Sequence, residues 1–194
     1  MKLVKSINYL NKILDRYRSD GFKIHLTPTM GALHGGHLKL VKESKKLKSI
    51  VVVSIFVNPT QFGPKEDYKD YPRTLKNDLK VLKKYGADIV FTPIQKQILS
   101  HKTKHNCPQF AIEKRLCGKS RPNYFPGVKN IVLKLFDIVQ PDAAFFGEKD
   151  YQQYLVIKKM TESLKLNTRI ICVKTVRDRN CLLYTSDAAD DLRC

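Results

Sequence analysis

Residues 49–57 read Ser-Ile-Val-Val-Val-Ser-Ile-Phe-Val, a near-continuous β-branched run. A strand of this composition has no side to turn to water. It belongs inside a parallel sheet that helices cover on both faces. Parallel neighbours need crossover connections, so such a strand obliges the chain around it to alternate strand and helix. The rest of the sequence meets that demand. Ile7, Leu10, Ile13, Leu14 and Tyr17 form one stripe of an amphipathic helix over 6–19, stopped by Gly21. Further helices are expected over about 36–48, 73–85 (Leu75, Leu79, Leu82), 127–138 and 151–164, and short strands at 87–91, 143–146 and 169–176. Residues 94–126 are the least regular. There we expect a surface excursion around His101 and His105, a short strand at Phe110-Ala111-Ile112 and a loop over 121–127. The sum is an α/β chain, a doubly wound parallel sheet.

Ahead of the β-branched run lies Ile24-His-Leu-Thr-Pro-Thr-Met-Gly-Ala-Leu-His-Gly-Gly-His37. Ile24 and Leu26 alternate with polar neighbours as in a half-buried strand, Pro28 should end the ladder, and Gly31 permits a turn. Gly35 and Gly36 let backbone approach a ligand before a helix begins. His34 and His37, three apart, share one face of that helix's first turn. Strand, glycine turn and helix N-terminus together offer free N–H groups and a positive dipole end to phosphate. Two imidazoles there can donate to a triphosphate and to the charge that grows on departing pyrophosphate. Polar loops at 27–37, 58–64 and 147–153 all follow strands and should share one rim, where ligands of such sheets collect. Gln61, Lys149 and Gln153 stand in these loops.

Lysine supplies most of a formal net charge of +18 and is spread along the whole chain. Aromatic residues do not interleave with it as a stacking platform would require, so the pattern argues against a nucleic-acid site. No run of eighteen apolar residues is present, and none is expected to span a membrane. Five cysteines (107, 117, 172, 181 and 194) form no C-x-x-C pair and no zinc spacing. Scattered thiols without a signal-peptide core fit a reducing, cytoplasmic setting.

Four motifs in order give the chain a family resemblance: Pro28 to His37; Val57-Asn-Pro-Thr-Gln-Phe-Gly63; Asp70-Tyr-Pro-Arg-Thr74; and Phe146-Gly-Glu-Lys-Asp-Tyr-Gln-Gln153. The first alone is the H-x-G-H mark of the nucleotidyltransferase superfamily. Together they resemble pantoate–β-alanine ligases. The resemblance implies a Rossmann-like sheet and an ATP-dependent condensation of (R)-pantoate with β-alanine through a pantoyl adenylate, releasing AMP and pyrophosphate, with Mg2+ accompanying ATP and a homodimer as the usual assembly. By position it implies ATP contacts at Met30, Gly31, Ala32, Leu33, His34, Gly35, Gly36 and His37, at Gly147, Glu148, Lys149 and Asp150, and at Val176. It puts His37 in the place assigned as proton donor, beside His34 and Lys149. Gln61 and Gln153 match the glutamines that hold pantoate, Gln61 also lying near β-alanine, and Asp150 is a candidate to orient magnesium. Two positions depart from the family's pattern: Tyr124 stands where histidine is common and Pro126 where arginine is common. Other readings are a different H-x-G-H nucleotidyltransferase or, from another class, a basic nucleic-acid-binding module.

The resemblance is followed here to Asn180. Residues 1–180 are expected to form the nucleotide- and pantoate-binding domain. Residues 181–194, with Asp187, Asp190 and Asp191 against Arg193, lack a useful period and are expected to be a foreign or disordered end. A third ATP segment and the smaller C-terminal domain of the family are not recognisable, so the chain is expected to be truncated and impaired.

Overall fold

A short edge strand, β1 (Lys2–Val4), leads into α1 (Ile7–Ser19), β2 (Lys23–Thr29), α2 (Gly35–Lys45) and β3 (Ser49–Ile55). After a 3₁₀ turn at Pro59–Gln61 come α3 (Leu75–Lys84), β4 (Ile89–Phe91) and α4 (Gln95–Ser100). A second 3₁₀ turn (Ala111–Lys114) precedes α5 (Cys117–Ser120), α6 (Tyr124–Val139), β5 (Ala143–Gly147), α7 (Tyr151–Ser163) and β6 (Arg169–Val173). This computed structural model describes residues 1–45, 49–64, 66 and 68–177, and the expected tail lies outside them.

The six strands run in the order β1-β4-β3-β2-β5-β6, and every pairing is parallel. Val51, Val52 and Val53 of β3 are all fully buried, as the β-branched run requires. Alternate residues serve opposite layers. Ile24, Leu26, Val52, Phe91 and Ala144 pack in one core with residues of α1, α6 and α7. Val51, Val53 and Val90 meet Val41 of α2 and Leu82 of α3 on the other side, where Leu40 also meets Ala143 and Phe145. The sheet is doubly wound, as expected.

From β2 the chain steps outward through β3 to β4, then returns across the sheet and places β5 on the other flank of β2. The connections therefore diverge between β2 and β5. In open α/β sheets that switch point is where a crevice forms at the carboxyl ends of the strands.

Several sequence expectations need correction. β2 is not half-buried: His25 is only 2% exposed, its Nδ1 paired with the Ser44 carbonyl at 2.8 Å and its ring tilted on Phe145. Pro28 does not end the ladder but pairs in register with Ser54. Its neighbour Thr29 turns its carbonyl to β3, where Phe56 N–H donates to it at 3.0 Å. By alternation Pro28 faces the β5 side, where pairing stopped at Leu26, and its missing N–H leaves nothing unmade. Phe110–Ile112 is not a strand, because the Glu113 carboxylate reaches back to Phe110 N–H at 2.7 Å and curls the segment into its 3₁₀ turn. α6 begins three residues before expectation. Pro126 lies in its first turn, where a missing N–H costs little. Tyr124 is thereby moved from loop to helix. Gly127 in that turn lies against the 3₁₀ turn of Gln61, where a Cβ would sit 2.4 Å from the Thr60 carbonyl oxygen.

Candidate active site

At the switch point lies a cavity of about 400 Å3, walled by the turns that follow β2, β3, β5 and β6 and by the start of α6. Met30, His34, Gly36, His37, Gln61, Gly147, Lys149, Asp150, Gln153 and Val176 all line it. Gly31, Ala32, Leu33, Gly35 and Glu148, also expected at the site, do not. Gly31 (φ +88°) and Ala32 (φ 50°) make the left-handed turn behind the wall, Gly35 opens α2, and Glu148 accepts from Thr175 N–H at 3.3 Å. First-turn residues of both α2 and α7 face the cavity, so two helix N-termini turn positive dipole ends toward it.

The two histidine rings lie 4.1 Å apart between centroids. Gly36 N–H donates to His34 Nδ1 at 3.1 Å, and His34 N–H makes a longer contact of 3.5 Å to His37 Nδ1. A nitrogen that accepts from the backbone cannot carry the ring proton, so both imidazoles hold it on Nε2. Burial, then Lys149, lowers the pKa of His34. Burial, then the neighbouring His34 and Lys149, brings His37 from its ordinary 6.5 down to about 3. His37 is therefore a neutral donor at pH 7. In this ligand-free state the ring has a hydrogen bond to offer through Nε2–H.

This state has a stability consequence. Between pH 6.5 and about 3 the unfolded chain carries a proton on His37 that the native chain does not. Stability linked to it is complete above pH 6.5 and is lost as pH falls through that window. The His37 ring resonances should accordingly show no titration step between pH 7.5 and 5, and added ATP should move the midpoint upward by bringing negative charge beside the ring. A midpoint near 6.5 in the ligand-free protein would overturn the neutral assignment.

Opposite the histidines, Asn58 is 1% exposed and donates from Nδ2 to Gln61 Oε1 and to the Gly127 carbonyl, each at 3.1 Å. Its own Oδ1 accepts from Thr60 N–H and Oγ1. The Gln61 carbonyl is thus occupied, and its amide points at Met30 Sδ, a weak acceptor at 3.3 Å that a ligand oxygen would displace. Tyr124 Oη donates to Gln153 Oε1 at 3.0 Å. Lys149 Nζ lies 3.8 Å from Asp150 Oδ1, and Asp150 is half exposed. Among the described residues no three His, Cys, Asp or Glu side chains group into a metal cage.

Sequence reasoning missed one supporting residue altogether. Asp78 of α3 is 2% exposed and accepts from Ala32 N–H (3.2 Å) and Leu33 N–H (2.9 Å), holding the strained turn before His34. The signal was present: positions 75, 78, 79 and 82 form one helical face, and an aspartate stands in that otherwise leucine stripe. Asn58 was quoted only as part of a motif, and its burial was not visible in it.

A family model described as pantoate-beta-alanine ligase matches residues 2–188. The chain belongs to that family. Pantothenate synthetases from Acetivibrio thermocellus and Acinetobacter baylyi are 46% and 48% identical over 186 and 187 residues, 96% of this chain and 66% of each relative. The chain spans about 66% of the length of these curated relatives. Pantothenate synthetase from Thermus thermophilus superposes with a TM-score of 0.88 at 38% identity, over 96% of this chain and 66% of that one. The Francisella tularensis ligase, solved in complex with β-γ ATP and β-alanine, gives 0.88 at 39%, covering 96% and 71%. The turn carrying His34 and His37 and the Gly147–Asp150 turn are two walls of the cavity that the β2/β5 divergence brings together.

Proposed function

We propose that this cavity joins pantoate to β-alanine at the expense of ATP. The observation that carries the reading is the convergence of the β2 turn (His34, His37) with the β5 turn (Lys149, Asp150) on a space flanked by two oriented glutamine amides. A pantoate carboxylate oxygen attacks the α-phosphorus, the bond to the β-phosphate breaks, and pyrophosphate leaves. The amine of β-alanine then attacks the acyl carbon, AMP leaves, and the amine proton passes to solvent. The two helix N-termini, Lys149 and the Nε2–H groups of His34 and His37 supply fixed positive donors where phosphate charge grows. Gln61 and Gln153 hold pantoate by amide N–H groups, and Gln61 reaches the β-alanine side as well. The remaining ATP contacts fall to Met30, Gly36, Gly147 and Val176, which line the same cavity.

Mg2+ brought with the phosphates would neutralise part of their charge and would need only a carboxylate or two from protein. Half-exposed Asp150 suits that. The Francisella complex supports the pairing of nucleotide and β-alanine with this architecture. No helix among the described residues is long and apolar enough to cross a membrane, and a cytoplasmic homodimer is the assembly we propose.

Exchange of labelled pyrophosphate into ATP tests the reading. It should depend on pantoate, proceed without β-alanine, and stop when β-alanine turns the adenylate over to pantothenate. Exchange driven by another acid and not by pantoate would point to a different H-x-G-H nucleotidyltransferase and overturn the substrate.

A further inference from the structure

Gln61 and Gln153 face the same cavity, and an amide can present either of two chemically opposite ends. A carbonyl would repel a carboxylate oxygen, whereas the –NH2 group would bind one. What fixes the amide therefore fixes which ligand the site accepts. For Gln61 the buried Asn58 amide does this from behind. For Gln153 the group behind is Tyr124, whose Oη lies 3.0 Å from Oε1.

Tyr124 is itself held. The Arg121 guanidinium lies over its ring at 4.1 Å from the centroid, and Arg121 is gripped by both arms of Glu66, Nε to Oε1 at 2.7 Å and Nη2 to Oε2 at 2.8 Å. A bidentate pair of this kind has little freedom to swing. Cationic charge over the ring face also draws electron density from the phenol, making its O–H the better donor. The contacts run in one chain, Glu66 to Arg121 to Tyr124 to Gln153, from the loop after β3 across α6 to α7, and all four residues line the cavity.

We propose that Tyr124 is a positioning residue for pantoate: by donating to Gln153 Oε1 it turns the Gln153 –NH2 group toward the acid's oxygens. The inference rests on the pantoate reading of the cavity. The phenol reaches far enough from α6 to place its oxygen level with the Gln153 side chain.

The test is a double-mutant cycle of Tyr124→Phe and Gln153→Ala on the 194-residue protein, read by NMR titration with pantoate and separately with ATP. Tyr124→Phe keeps the ring and its stack on Arg121, so thermal unfolding should be unchanged. Loss of one oriented hydrogen bond should weaken pantoate binding about tenfold, with ATP affinity within about twofold of the parent. In the Gln153→Ala background, Tyr124→Phe should have no further effect. Additive losses would overturn the positioning role, because they would mean that Tyr124 acts on the ligand directly or through the fold.

The contact has a second, ligand-free readout. The Gln153 side-chain amide resonance should shift in Tyr124→Phe, and an unmoved resonance would overturn the inference by itself. If the parent protein bound ATP but not pantoate while that resonance still shifted, the substrate reading would fail and the Tyr124–Gln153 contact would stand.

Discussion

His37→Ala should slow pantoyl adenylate formation by about 10²- to 10³-fold, the usual cost of removing one preorganised donor from developing oxyanion charge. The fold should survive it. The Nδ1 contact to His34 N–H is long, at 3.5 Å, and the imidazole is poorly solvated where it stands. The loss should appear in the rate of the chemical step, under single-turnover conditions with enzyme in excess, more than in ATP affinity. His37→Gln separates two mechanisms. Glutamine places its Nε2–H close to where the imidazole carries its own, so a ring that only donates a hydrogen bond should be replaced to within about tenfold of the parent. A ring that surrenders a proton could not be replaced at all. Because the neutral form already dominates at pH 7, the rate should also show no His37-linked step between pH 6 and 8. His37→Gln as slow as His37→Ala, or a step of that kind, would show that His37 acts as a proton donor.

The framework of this site was readable from the sequence for a specific reason. Apolar periodicity and β-branched runs report burial directly, so the layers and the helices of the sheet could be placed to within a few residues. Motif glycines report backbone turns, so the histidine turn could be placed as well, and Gly31 duly sits at positive φ. What could not be read was pairing across long separations. The Asp78 grip on residues 32 and 33 spans 45 positions or more, and that of Asn58 on Gly127 spans 69. Neither carries a periodic signal beyond one polar residue in an apolar stripe. The strand assignment at 110–112 failed because a side chain, Glu113, competed for the backbone N–H that a strand would have used. Pro28 failed for the opposite reason. A proline is excluded from a ladder only on the side where a partner exists, and strand order is not written in any local stretch.

Side-chain pairing of the same kind holds the region from 108 to 124. Glu113→Ala is expected to cost about 3–5 kcal/mol of stability, a large share of the roughly 5–15 kcal/mol typical of a domain. Lys129 is 2% exposed, and its ammonium meets Glu113 Oε1 at 2.6 Å and the Pro108 carbonyl. Truncating Glu113 would leave that charge buried without its counter-ion and orphan the Phe110 N–H as well. Glu113→Gln with Lys129→Met removes both charges and keeps an acceptor for Phe110, so the pair should recover most of the loss in urea unfolding. A single variant within about 1 kcal/mol of the parent, or a double variant no better than the single, would show that the ion pair is not what pins the segment. The consequence should reach the cavity. Gln152, next to Gln153 in α7, accepts from Cys117 N–H and donates to the Ile112 and Arg115 carbonyls, so it holds the far end of the same segment. Arg121 and Tyr124 follow directly after it. In Glu113→Ala, amide exchange should therefore accelerate first across 110–121, and pantoate should be lost before ATP, because the walls we propose for the nucleotide follow β2 and β5 of the sheet and do not depend on this latch.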